Sequence, residues 1–130
     1  AGKEHTDKGS WYEVTVVSVT SGSTVMVQSA ADDEVEKPKQ KVPIKLVRPA
    51  PPPPPAGWLD GVMEGAQLEL FYMGGWWEVK LLKRLSAKGN KPERFKVIAE
   101  LYNAQHTVTA SDLRPGWAWT PGAKYWRWRE

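Results

Sequence analysis

Aromatic rings interleaved with cationic side chains are the residues of this chain best equipped for chemistry. Eight tryptophans, four tyrosines and two phenylalanines fall within 130 residues. Such an excess means either a core built on tryptophan or a surface that grips something flat or cationic, because ring faces carry negative charge density. The density peaks near the end, in Trp117-Ala118-Trp119 and Tyr125-Trp126-Arg127-Trp128-Arg129. Alternation there has two readings. As a strap, the segment buries its tryptophans and leaves Arg127 and Arg129 in solvent. As a nucleic-acid grip, its rings stack on bases while Lys124, Arg127 and Arg129 contact phosphates.

Other chemistries are poorly provided for. With no cysteine, disulfides, cysteine-ligated zinc and thiol nucleophiles are excluded. His5 and His106 are too few for a histidine metal cage, so neither a metal nor a cofactor is expected. No close carboxylate pair, nucleophile motif or phosphate-cradling loop occurs, and Gly74-Gly75 reads as a hairpin turn. The expectation is a protein without catalytic residues or a small-molecule substrate. No apolar run approaches the roughly 20 residues of a membrane span, and the first residues lack a signal-peptide pattern, so no membrane association is expected. The net charge of +3 is unevenly spread. Residues 1–57 hold seven basic and seven acidic side chains, and residues 58–130 eleven and eight. A dedicated duplex-DNA binder usually shows a denser basic face.

An internal repeat sets the elements that must position these residues. Ser10-Trp11-Tyr12-Glu13-Val14 reads against Gly75-Trp76-Trp77-Glu78-Val79, an offset of 65. Val47-Arg48-Pro49 reads against Leu113-Arg114-Pro115, an offset of 66. Between the units Pro51–Pro55 favour a stiff polyproline II rod. The expected division is a first unit over 1–50, a proline-rich linker over 51–57, and a second unit with a tryptophan-rich strap over 58–130. Period-two alternation marks strands at Tyr12–Val16, Thr24–Gln28, Val42–Val47, Leu68–Leu70, Trp77–Leu81, Phe95–Tyr102 and Thr107–Ala110. At Lys3-Glu4-His5, the counterpart of Leu68-Glu69-Leu70, only the glutamate is kept, and a marginal strand is expected. Trp76, of opposite parity to Val79, is expected to pack on the partner unit or the tail. Asp112 is expected to stabilise a turn, and His106 to be an exposed turn residue.

Taken together, Leu68-Glu69-Leu70, Trp76-Trp77-Glu78-Val79, Phe95-Lys96-Val97-Ile98 and Ser111-Asp112-Leu113-Arg114-Pro115 resemble the Agenet domain of the Tudor-like superfamily. Trp11-Tyr12-Glu13-Val14 and Val47-Arg48-Pro49 resemble it more weakly. The resemblance implies an all-β chain of two small five-stranded Tudor-like barrels in tandem, acting in the nucleus as a chromatin reader of methylated lysine on a histone tail. On that pattern Trp77 and Tyr102 match aromatic cage positions. Tyr72 is a third wall by parity with Leu68 and Leu70, and Phe71 is its alternative if a bulge flips the facing. Glu100 is a possible acid at the rim. Tyr12 is the weak counterpart in the first unit, whose cage is expected to be degenerate. A methylated ammonium is bulky and weakly hydrated, so ring faces suit it better than carboxylates, at about 0.5–2 kcal/mol per ring. Asp32, Asp33, Glu34 and Glu36 form an acidic loop that offsets the chain's mild positive charge against a basic tail. The competing partners are nucleic acid, through the C-terminal segment, and an unmodified protein bound by a pure scaffold.

Overall fold

A computed structural model of the chain describes residues 3–7, 9–20, 22–29, 38–120 and 125–129. The acidic loop and Lys124 lie outside them. The chain divides into two compact units: residues 1–50 together with Met73–Gly75, and the remainder of 51–130. The described residues are all-β, with three 3-10 turns and no α-helix.

In the first unit β1 (Lys3–Asp7), β2 (Ser10–Val19), β3 (Thr24–Ser29), β4 (Lys39–Pro43) and β5 (Val47–Pro49) form an antiparallel sheet in the order β5-β1-β2-β3-β4. The sequence signal for β1 is weak, yet the strand forms, because it lies between β2 and β5 and bonds to both. Val14, Val25, Val27 and Val42 build the core. These four stand on alternating positions of β2, β3 and β4, as a one-sided buried sheet requires.

The second unit repeats the scheme with β6 (Gln67–Tyr72), β7 (Gly75–Leu85), β8 (Arg94–Ala99), β9 (Ala104–Val108) and β10 (Leu113–Pro115), in the order β10-β6-β7-β8-β9. Each unit carries a 3-10 turn just before its last strand, Ile44–Leu46 and Ala110–Asp112. Asp112 lies in the latter, directly before Leu113. Each long second strand also carries a bulge, between Val16 and Ser18 in β2 and between Leu81 and Lys83 in β7. An extra residue there bends the strand, so one strand can serve both halves of a small sheet. The second core is larger, with Leu59, Leu68, Leu70, Val79, Leu81, Phe95, Val97, Ala99 and Leu113.

The glutamate kept at both first strands has a structural reason. Arg114 lies directly across from Glu69 in the β10–β6 pairing, and Arg48 across from Glu4 in β5–β1. Arg114 Nε donates to Glu69 Oε1 at 2.7 Å, while Arg48 Nε and Nη2 donate to Glu4 Oε1 at 3.2 and 3.0 Å. Each guanidinium also lies over a tryptophan ring: Arg48 at 3.5 Å from the Trp11 centroid and Arg114 at 4.2 Å from that of Trp76. Trp76 therefore packs on its own unit, against Phe71 and Arg114. Its parity takes it off the core face, and the buried arginine is what meets it there.

The remaining segments close over the second unit. Pro51–Pro55 form no strand and lead into a turn in which Leu59 is buried in the core. Arg84 ties this turn down by donating to the carbonyls of Leu59 and Val62. At the C-terminal end β11 (Trp117–Thr120) and β12 (Tyr125–Trp128) form a hairpin in which Trp117 faces Trp128 and Trp119 faces Trp126. Their centroids are 5.9 and 5.1 Å apart. Trp128 packs against the second core and donates its indole N–H to the Gln67 carbonyl at 2.6 Å. Trp128→Phe keeps most of the packing and loses this bond, so a loss of about 1 kcal/mol is expected in urea unfolding.

Candidate functional site

Three short features bring the candidate rings to one end of the second unit. β6 ends at Tyr72. Met73 and Gly74 follow with φ of 49° and 80°, two successive positive values that make a tight hairpin turn. Three residues after Gly74, β7 presents Trp77 on the parity of the core residues Val79 and Leu81. The third feature is the 3-10 turn Glu100–Tyr102 after β8, closed by Asn103 in the left-handed conformation, which asparagine tolerates better than most residues. The turn ends β8 at Ala99, earlier than the strand expected through Tyr102, and puts Tyr102 on an exposed corner.

The rings of Trp77 and Tyr102 meet edge to face, with centroids 5.1 Å apart and planes at 74°. Trp77 Nε1–H donates to the Tyr72 carbonyl oxygen at 2.8 Å, which fixes the indole against the end of β6. Tyr72 is 44% exposed and Tyr102 48% exposed, with Trp77 partly buried between strand and turn. The site is therefore open, with its deepest ring held by a hydrogen bond.

His106 joins this group. Its ring lies 4.8 Å from that of Tyr72, and it sits half-buried in β9 opposite Val97. It is not the exposed turn residue expected. β9 starts at Ala104, directly after the left-handed Asn103, so His106 is already two residues into the strand. Sequence reasoning missed this neighbour; its alternation with Ala104 and Val108 was the available signal.

The other candidates lie elsewhere or are engaged. Phe71 faces away from this group, with its ring 5.2 Å from Trp76. Glu100 is exposed and pairs with Lys80 Nζ at 2.8 Å. Tyr12 stands in β2 opposite His5, half-buried. Arg127 is exposed on β12. Arg129 does not face solvent as the alternation implied: it donates to the Leu68 carbonyl at 3.1 Å and pairs with Glu78 and Glu69. Its backbone N–H binds the Gly116 carbonyl, and this turns the side chain toward the buried carboxylate. A guanidinium so occupied is a poor phosphate contact.

Residues 3–52 match the family model of the Agenet domain. The first unit is thus similar to an Agenet domain. The second unit reproduces that domain's strand order, its bulge and its arginine–glutamate pair across the first and last strands. Two solved tandem Agenet structures share the fold of the chain as a whole. The crystal structure of ADCP1 tandem Agenet domain 3-4 has 19% sequence identity and a TM-score of 0.78, covering 100% of this chain and 86% of that one. The crystal structure of Arabidopsis thaliana AGDP1 AGD34 has 20% identity and a TM-score of 0.77, covering 99% and 87%. No curated protein matches the chain.

Proposed function

We propose that this chain is a non-catalytic nuclear chromatin reader whose second unit binds a methylated lysine of a histone tail between Trp77, Tyr102 and Tyr72. The observation that carries the reading is the perpendicular pair of Trp77 and Tyr102 at 5.1 Å on an open corner. Perpendicular rings form two walls of a corner, and a bulky cation placed there meets a ring face and is partly shielded from water. Tyr72, whose carbonyl holds the Trp77 indole, supplies a third ring at the same strand end.

The selectivity follows from hydration. An unmodified ammonium is strongly hydrated and donates three hydrogen bonds, which ring faces replace poorly. Each added methyl removes a donor and adds apolar surface, so the ring site gains while water loses. Because Glu100 pairs with Lys80, the rings and not that carboxylate set the affinity. The first unit has one aromatic residue, Tyr12, at the corresponding position, and the reading gives it no cage.

The test is calorimetric titration with histone-tail peptides that differ only in lysine methylation. Trimethylated or dimethylated peptide should bind at least about tenfold more tightly than its unmodified counterpart, the equivalent of about 1.4 kcal/mol. Equal affinities across the series would sink the proposal.

A further inference from the structure

One hairpin of the second unit is densely basic. Residues 83–96 hold six basic side chains and a single acid, Glu93, a net +5 in a chain whose total is +3. A second basic run, residues 37–48 with five basic side chains and no acid, lies in the first unit, where Arg48 is buried and paired with Glu4. Lys83, Arg84, Lys88, Lys91 and Arg94 line one hollow of about 540 Å³ at the β7–β8 end.

The pairing sharpens the point. Lys83 lies directly opposite Lys96 in the β7–β8 register, and Lys88 opposite Lys91 in the bridge beyond it. Like charges directly across a sheet destabilise it, and this hairpin holds two such pairs. Glu93 does not relieve them, being paired with Arg84 at 3.5 Å. Among the described residues none of Lys83, Lys88, Lys91, Arg94 and Lys96 has an acidic partner. Arg94 is half-buried at the inner side of the hollow.

The arrangement also has a repeat. The cross-strand rungs Lys83–Lys96 and Leu85–Arg94 are two residues apart, about 7 Å along a strand. That is about two nucleotide steps of the axial rise of one nucleic-acid strand. An acidic peptide segment would want apolar anchors, and Leu85 is the sole apolar lining residue.

We infer that the β7–β8 hairpin of the second unit is a nucleic-acid backbone site, separate from the aromatic corner and from the C-terminal tryptophan segment. It takes phosphates without reading bases, so it anchors the chain to DNA or RNA by charge. Lys83, Lys88 and Lys91 are the exposed contacts, and Arg94 the half-buried one.

The experiment uses the whole chain with a fluorescein-labelled mixed-sequence DNA duplex and a single-stranded RNA of equal length, followed by anisotropy across a salt series. Affinity should fall steeply with salt for at least one probe. A Lys83→Gln/Lys88→Gln/Lys91→Gln variant should bind that probe at least about tenfold more weakly, with the salt slope reduced by about one per lost contact. Arg127→Gln should bind like the parent. The inference is overturned if neither probe binds, if the triple variant binds as well as the parent, if Arg127→Gln removes the binding, or if polyglutamate competes as well as the nucleic acid does. The triple variant's titration with methylated peptide should match the parent's, so this site and the aromatic corner fail or stand separately.

Discussion

Glu69→Ala should cost the second unit about 3–5 kcal/mol in urea unfolding followed by tryptophan fluorescence, a large share of the 5–15 kcal/mol typical of a whole domain. Glu69 is fully buried and Arg114 is 7% exposed, so removing the carboxylate takes the acidic partner from a buried guanidinium. Arg129 loses one of its two acidic partners at the same time. The cost comes from the orphaned charge and not from the strength of the pair itself. Replacing both partners, as in Glu69→Leu/Arg114→Met, should therefore recover most of the loss, since apolar groups of similar volume can substitute for a buried pair and Met can still cover the Trp76 ring. A single-variant loss below about 1 kcal/mol, as for an exposed pair, would contradict this reading.

Trp77→Ala should weaken methylated-peptide binding by about 2 kcal/mol or more, about thirtyfold in Kd, with the fold retained. The indole is partly buried at the sheet end and belongs to neither core cluster. Trp77→Phe should fall between, because it keeps a ring face and loses the hydrogen bond to the Tyr72 carbonyl. Tyr102→Ala should also weaken binding, and Tyr12→Ala should leave it unchanged. If Trp77→Ala binds methylated peptide as the parent does, the rings have a structural role alone and a scaffold for an unmodified partner becomes the better reading.

The repeat was legible because it rests on residues that fold and ion pairing both require. Trp11 and Trp76 cover the arginines of the two Arg-Pro endings, and Glu4 and Glu69 neutralise them, so three positions recur in each unit for one electrostatic reason. The same residues also misled. Leu68-Glu69-Leu70 reads as a strand with one wet face, yet that face is covered by Arg114 and by Arg129 from the C-terminal hairpin. Alternation reports side-chain facing and is silent on what lies over each face. For this reason alternation alone places Arg129 in solvent and Trp76 on another unit or the tail. Trp77 and Tyr102 are candidates through the family resemblance, and Tyr72 by parity with Leu68 and Leu70. The approach of His106 is signalled only by its alternation with Ala104 and Val108, and it depends on where β9 starts after Asn103.

The most direct measurement is a two-dimensional NMR titration that follows the tryptophan indole N–H signals and the tyrosine ring signals as methylated peptide is added. Binding in the aromatic corner should shift the Trp77 indole, whose N–H holds the Tyr72 carbonyl, together with the ring signals of Tyr102 and Tyr72, and unmodified peptide should leave them in place. Should Trp119 and Trp126 respond while Trp77 and Tyr102 stay still, the ligand sits on the C-terminal hairpin and the aromatic corner is not the reader.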